Sequence, residues 1–262
     1  MRAIWTGSIS FGLINVPVKL YSGSEERGGI DLHMLHKKDN SAIRYAKICR
    51  EEGIEIAFDE VVKGYEYQAG EYVIISDADL KKVDAHRTKT IEIDEFTQED
   101  QLDVRYFEKP YYLEPDKNAA KPYALLREAL NLSHRVAVAR FVLRSRERLA
   151  AIKPVGRALI LNQMRFPAEL REPQQLNLPE AEATNGKEID MALKLIDQLT
   201  GPFIPEDYRD TYTEALEEMI EAKVKGIKPK RTSHDVASAP AKDLMAALKE
   251  SLEREKNKAH KK

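Results

Sequence analysis

The sequence predicts a mixed β/α chain, β-rich in its first two thirds with one short helix inside, then helical. Three observations carry this expectation. Before residue 166, apolar residues alternate with polar ones in several short runs, the period of a half-buried strand. Beyond residue 186 the apolar spacing changes to three and four, the period of an amphipathic helix. Between the two, residues 172–186 carry Pro173, Pro179, Asn185 and Gly186 and read as a connecting loop where the β signal stops.

In chain order, Ile9, Phe11 and Leu13 and then Val16, Val18 and Leu20 predict a strand over Ile9 to Leu20 whose register breaks at Asn15 or Pro17. Further strands are expected at Tyr72 to Ser76, Lys89 to Phe96 and Tyr111 to Leu113, each near Gly, Pro, Asp or Asn. Pro122 opens a helix over Lys121 to Leu132 with Tyr123, Leu126, Ala129 and Leu130 as its stripe. Strands resume at Val136 to Arg144, Leu149 to Ile152 and, after the Pro154-Val155-Gly156 turn, Ala158 to Phe166. One helix then follows from Ile189 to Leu199, ending before Gly201-Pro202, and another from Tyr208 to Ile220, ending before Gly226. Pro229 to Lys242 reads as a flexible linker. Leu244, Leu248 and Leu252, after Asp243 as a cap, form a short amphipathic helix that is marginal in isolation.

The 262 residues include 42 Lys plus Arg and 44 Asp plus Glu, a formal net charge of −2 that does not announce a nucleic-acid binder. The charge is banded, however: −6 over residues 1–130, +7 over 131–171, −10 over 172–222 and +7 over 223–262. A band of +7 in 41 residues is a local feature that attracts phosphate. One cysteine, Cys49, excludes an intramolecular disulfide and fits a reducing, cytoplasmic compartment. The N-terminus is broken by Ser8, Ser10, Asn15, Pro17 and Lys19 and lacks the core of a secretory signal, and no apolar run reaches bilayer length. No membrane association is expected.

The most informative stretch is VAVARFVLRSRER, Val136 to Arg148. Extended, it places Ala137, Ala139, Phe141 and Leu143 on one face and Arg140, Arg144, Arg146 and Arg148 on the other. Arginines two residues apart would then stand about 7 Å apart, matching the phosphate spacing of one DNA strand. Catalytic signals are poor: the chain has no GxxxxGK[ST] loop, GxSxG elbow or HExxH helix. His33, His36 and Cys49 lack a fourth zinc partner. Asp77 with Asp79, or Asp94 with Glu95, would suit a metal-dependent nuclease, but Asp is common at strand ends and turns. A nuclease and a protein-interaction scaffold that never meets DNA remain alternatives.

IWTGSISFGLINVPVKLY (Ile4 to Tyr21), DEVVKGYEYQAGEYVII (Asp59 to Ile75), RYFEKPYYLEP (Arg105 to Pro115), YALLREAL (Tyr123 to Leu130) and VAVARFVLRSRERLA (Val136 to Ala150) resemble the prokaryotic Ku family. The resemblance spans essentially residues 1–225. It implies an antiparallel Ku-type β-barrel core over 1–171 with a DNA-encircling bridge at about 22–73. A helical C-terminal arm over 172–228 would serve dimerisation, and a flexible basic tail over 229–262 would hold the short helix 243–254. Such proteins have no catalytic activity and no cofactor. They form a homodimeric ring threaded by the end of double-stranded DNA, and recruit the ATP-dependent DNA ligase D in non-homologous end joining, at the nucleoid. Carried onto this chain, the resemblance points to Lys37, Lys38, Arg44, Lys47, Arg50 and Lys63 on the bridge and to Arg135, Arg140, Arg144, Arg146 and Arg148 along the cradle. Ile189, Leu193, Ile196, Tyr212, Leu216 and Met219 would face the partner, and Leu244, Leu248 and Leu252 the ligase.

Overall fold

A computed structural model describes residues 1–25, 30–84, 89–179, 186–227 and 244–259. The chain divides into two compact units, one of Met1–Arg27 and His33–Glu172, the other of Gly28–Leu32 and Pro173–Lys262. The first is built on a closed barrel of seven strands: β1 (Trp5–Phe11), β2 (Ile14–Ser22), β5 (Thr90–Thr97), β6 (Phe107–Pro115), β7 (Val136–Leu143), β8 (Arg146–Val155) and β9 (Ala158–Met164). Around the barrel they stand in the order β1-β2-β6-β9-β8-β7-β5. β3 (Lys63–Gln68) and β4 (Glu71–Ile75) form a separate two-stranded ribbon, followed by the helix α1 (Asp77–Asp84).

The barrel is not wholly antiparallel. Six neighbouring pairs are, but β1 and β5 run parallel, with Ile9 opposite Ile91. A closed ring with an odd number of strands cannot alternate direction all the way round, so one parallel seam is obligatory. The expected single strand Ile9 to Leu20 is a hairpin. Phe11 faces Ile14 across a two-residue turn, with Gly12 at φ 57° and Leu13 fully exposed. Glycine with positive φ at the first turn position suits a type II′ turn. The phase change between Leu13 and Val16 is this reversal, not a break at Asn15 or Pro17. The strands expected at Tyr72, Lys89, Tyr111, Leu149 and Ala158 are present, while β3 and α1 were not anticipated.

Period-two alternation fills the barrel. Val16, Val18 and Leu20 of β2, Ala137, Ala139 and Phe141 of β7, Ala150 and Ile152 of β8, and Leu159 and Leu161 of β9 are all buried in one cluster. Trp5 packs edge-on against Phe141, with ring centroids 6.4 Å apart. One end of the barrel is closed by helix α2 (Ala120–Ser133), which connects β6 to β7 and sends Tyr123, Leu126 and Leu130 into the same cluster. The Tyr123 hydroxyl is fully used there, donating to the Leu113 carbonyl (2.7 Å) and accepting from the Leu159 amide (2.6 Å). At this rim β6 ends, β7 begins and β8 turns into β9.

Among the described residues, the opposite rim carries no such plug. β2 ends there, β6 begins there, and β7 turns into β8 there. Residues 23–89 leave and re-enter the barrel at this same rim, and both feet are tight. The Gly23 amide donates to the Pro110 carbonyl at 3.0 Å, and a Cβ at Gly23 would lie 2.9 Å from that oxygen. The Ser8 amide donates to the Lys89 carbonyl at 3.0 Å, and a Cβ at Gly7 would lie 2.2 Å from it. Within the excursion, two small turns share one pattern: His36 N–H bonds Ser41 O and Asn40 N–H bonds His36 O, as Cys49 N–H bonds Ile54 O and Gly53 N–H bonds Cys49 O.

The second unit contains α3 (Gly186–Leu199), α4 (Thr211–Val224) and α5 (Leu244–Ala259), so the tail helix continues past the expected residue 254. α3 and α5 pack together. The half-buried positions of α3 are Glu188, Met191, Ala192 and Leu195, and those of α5 are Ala247, Leu248, Ser251 and Leu252, each a single helical stripe. The expected linker from Pro229 to Lys242, the cap Asp243, the side chain of Leu244 and residues 260–262 lie outside the described residues.

Gly7→Ala forces Lys89 or Trp5 to move, whereas Gly186→Ala meets nothing within 4 Å and starts a helix. The expected outcome is a melting temperature lowered by several degrees for Gly7→Ala and unchanged or slightly raised for Gly186→Ala, read by thermal unfolding of the full chain.

Candidate nucleic-acid interface

The arginine-rich stretch is not one extended strand. β7 stops at Leu143, and Arg144 and Ser145 turn the chain with φ values of 51° and 60°. Two consecutive left-handed residues make a type I′ hairpin turn, which keeps Leu143 opposite Arg146 and Phe141 opposite Arg148. The reversal undoes the expected single basic face. Paired residues share a face, so Arg146 and Arg148 lie on the inward face with Leu143, Phe141 and Ala150, while Arg140, opposite Leu149, lies on the outer face.

Arg146 and Arg148 therefore stand where the barrel interior meets its open rim. With Arg144 and Lys109 they border a recess of about 480 Å³ whose floor includes Leu143, Tyr111 and Gln163. Lys109 was not picked out from the sequence. Its signal was the alternation Lys109, Tyr111, Leu113, which places it on the inward face of β6 once that strand is recognised. Gln163 is the one buried polar residue among those described. Its amide donates to Glu108 (2.7 Å), and its oxygen accepts from the Tyr111 hydroxyl (3.3 Å). Burial pushes the Tyr111 phenol above its usual pKa, while the positive fields of Arg144 and Arg148 act the other way. Among the described residues, no carboxylate forms an ion pair with Arg144, Arg146 or Arg148.

Arg140 is held differently. A bulge in β5 between Ile93 and Glu95 takes Asp94 out of the ladder, and its two oxygens receive Arg140 Nε at 2.8 Å and Nη2 at 2.7 Å. This fork-to-fork pair keeps the Asp94 carboxyl below the ordinary carboxylate range and raises the guanidinium of Arg140. Asp94 thus has a structural partner in place. Its charge cancels that of Arg140.

The other basic positions fall into two groups. Lys37 and Lys38 are exposed in the first small turn of the excursion. Arg44 pairs with Glu55 at 3.6 Å, Lys47 lies 4.2 Å over the Phe58 ring, and Lys63 bonds Asp77 at 2.9 Å. Arg135 is not brought to them. It follows the left-handed His134 at the end of α2, beside Glu99 and Lys153 at the closed rim. β7 separates it from Leu143, roughly 26 Å at strand rise.

On the arm, Ile189, Leu193, Ile196 and Tyr212 are exposed, and Leu216 and Met219 are half-buried. The exposed stripe of α3 differs from the one that α5 covers. Leu248 and Leu252 belong to the half-buried face of α5. Among the described residues, no group of three or more His, Cys, Asp or Glu is placed to hold a metal ion, and no helix is long and apolar enough to cross a membrane.

The family description "Ku70/Ku80 beta-barrel domain" matches residues 10–191. Among curated proteins, the chain is 40% identical to "Non-homologous end joining protein Ku 2" of Saccharopolyspora erythraea, over 97% of this chain and 84% of that one. It is 38% identical to "Non-homologous end joining protein Ku" of Bacillus subtilis, over 97% and 82%. The protein of that name from Archaeoglobus fulgidus is 40% identical, over 97% and 99%.

The pair at the bulge makes a testable statement about stability. Asp94 titrates below its unfolded value, so its contribution is present above about pH 4 and is lost as pH falls through its lowered pKa. Asp94→Asn should cost about 0.5–1 kcal/mol at neutral pH, since the pair is partly exposed, and the difference from the parent chain should vanish toward pH 2. Urea unfolding across pH checks both.

Proposed function

The chain belongs to the Ku family, and on that premise we propose that it binds double-stranded DNA ends without reading sequence and works as a homodimer in non-homologous end joining. The observation that carries the reading is the open rim. Four cationic side chains border its recess, and the excursion 23–89, net −3 as a whole but with Lys37, Lys38, Arg44, Lys47 and Arg50 gathered in one stretch, starts and finishes there. Lys and Arg on such a surface contact phosphate and sugar, which positions a duplex but does not read bases. Specificity for ends then comes from threading. The net −10 over residues 172–222 leaves the helical segment with little attraction for side-on binding.

The homodimer is supported by what a single chain leaves uncovered. Both faces of the β3–β4 ribbon are exposed, including Tyr65, Tyr67, Tyr72, Val73 and Ile74, and an isolated two-stranded ribbon is marginal in water. α3 leaves Ile189, Leu193, Ile196 and Leu199 exposed in the same way. A second copy related by a two-fold axis would cover both surfaces with their own counterparts. Recruitment of an ATP-dependent DNA ligase falls to α5. Since Leu248 and Leu252 are half-buried where α5 lies with α3, a ligase that grips those leucines must first lift α5 away.

In gel-shift competition, linear duplex should displace a labelled blunt-ended probe and covalently closed circles should not; equal competition by circles contradicts threading. Cleavage of the probe when excess Mg²⁺ is added would favour a nuclease instead. The doubly substituted Leu193→Glu, Ile196→Glu chain should sediment with a dimer constant weakened at least tenfold and lose end binding with it. A parent chain that sediments as a monomer at every concentration would exclude the homodimer.

A further inference from the structure

Among the described residues, the barrel contains three two-residue hairpin turns, and the chain builds them in two ways. Phe11 to Ile14 and Val155 to Ala158 reverse through Gly12-Leu13 and Gly156-Arg157, each with glycine at the first position and φ 57°. Both turns lie at the rim that α2 closes. The third, Arg144-Ser145, lies at the open rim and holds two residues with side chains at φ 51° and 60°. Left-handed backbone crowds a Cβ against the following carbonyl oxygen, which is why a turn of this type ordinarily takes Asn-Gly. At the open rim the chain therefore gives up stability that it keeps at the closed one. Strain of this kind persists where the side chains that cause it are needed.

Charge does not single out either residue, because Arg144 shares its recess with Arg146, Arg148 and Lys109 and also with the Glu108 carboxylate. Place does. Lys109, Arg146 and Arg148 belong to strands, whereas Arg144 is exposed at the tip of the β7–β8 hairpin. We propose that the Arg144-Ser145 turn is kept in its left-handed conformation to present Arg144 at that tip, and that Arg144 is the open-rim cation on which phosphate contact with a bound duplex most depends. The proposal rests on the end-binding reading and deepens it by locating one contact and the stability given up for it. Asn-Gly would make the same reversal with less strain and without the guanidinium. Stability and binding should then move in opposite directions at these two positions.

The test compares full-length chains by thermal unfolding and by titration of a labelled blunt-ended duplex at several salt concentrations. Arg144→Asn with Ser145→Gly should raise the melting temperature by about 2–4 °C and weaken end binding at least about fivefold. Arg144→Gln should weaken binding by a similar factor with the melting temperature within about 1 °C of the parent, since Gln leaves the backbone strain in place. In both variants the slope of log affinity against log salt should become shallower by about one, the signature of one lost phosphate contact. Arg157→Gln removes an exposed arginine from the glycine turn at the other rim, and should leave affinity within about twofold and the slope unaltered. A double variant that melts no higher than the parent shows that the turn stores no strain and overturns the proposal. So does a double variant that keeps the parent's affinity and salt slope, or an Arg157→Gln chain that loses as much as Arg144→Gln. A parent chain that binds no duplex ends is a different failure: it removes the end-binding reading, and the proposal with it.

Discussion

The parallel seam between β1 and β5 is the constraint on which the rest of the molecule depends. β2 runs antiparallel to β1 and so ends at the rim where β1 starts; β5 runs parallel to β1 and so begins at that same rim. Everything between them, residues 23–89, must leave and return on one side of the barrel. Had the seam been antiparallel, the chain would have had to cross the length of the barrel to reach β5. The close approaches at Gly7 and Gly23 follow from this, because two crossing chains are gathered where strand ends already crowd. The seam also separates duties between the rims: α2 fills one with Tyr123, Leu126 and Leu130, and the other stays open and basic.

Strand parity then decides what each arginine can do. Hydrogen-bonded strands keep side chains on fixed faces, so the two-residue turn at Arg144-Ser145 converts a row of arginines into two populations. The outer one, Arg140, meets a carboxylate delivered by a bulge and is neutralised locally. The inner pair shares its recess with aliphatic and aromatic side chains and with the Glu108 carboxylate, and forms no ion pair with a described acid. Charges beside low-dielectric walls are felt more strongly than charges in open water, so the inner pair sets the potential of the rim more than its share of the net charge suggests.

Much of this was legible in the sequence, and the failures share one cause. Period two and period 3.6 located the barrel strands β5 to β9 and the helices α2, α3 and α4, because burial on one face imposes those periods directly. Reversals were harder. Gly12-Leu13 and Arg144-Ser145 each hid inside what reads as a continuous run, since a two-residue turn removes too few residues to interrupt the alternation and only shifts its phase. The lesson is specific for Arg140 and Arg148: eight residues apart and of equal parity in the chain, they land on opposite faces because the turn lies between them. Arg135 illustrates another limit, for charge banding groups neighbours in sequence while β7 carries them to opposite rims. β3 and α1 escaped notice because neither buries a face, and without burial there is no period to read.

The central claim is that the open rim and the excursion rooted in it form the working face, and that the α2-closed rim does not. Amide hydrogen exchange of the full chain, with and without a blunt-ended duplex, addresses it most directly. The account expects slowed exchange at the Arg144-Ser145 turn and across Lys37 to Arg50, with His134 and Arg135 unchanged. Protection concentrated at His134 and Arg135, with the turn and the excursion unaffected, would place the DNA at the wrong end of the barrel and contradict it.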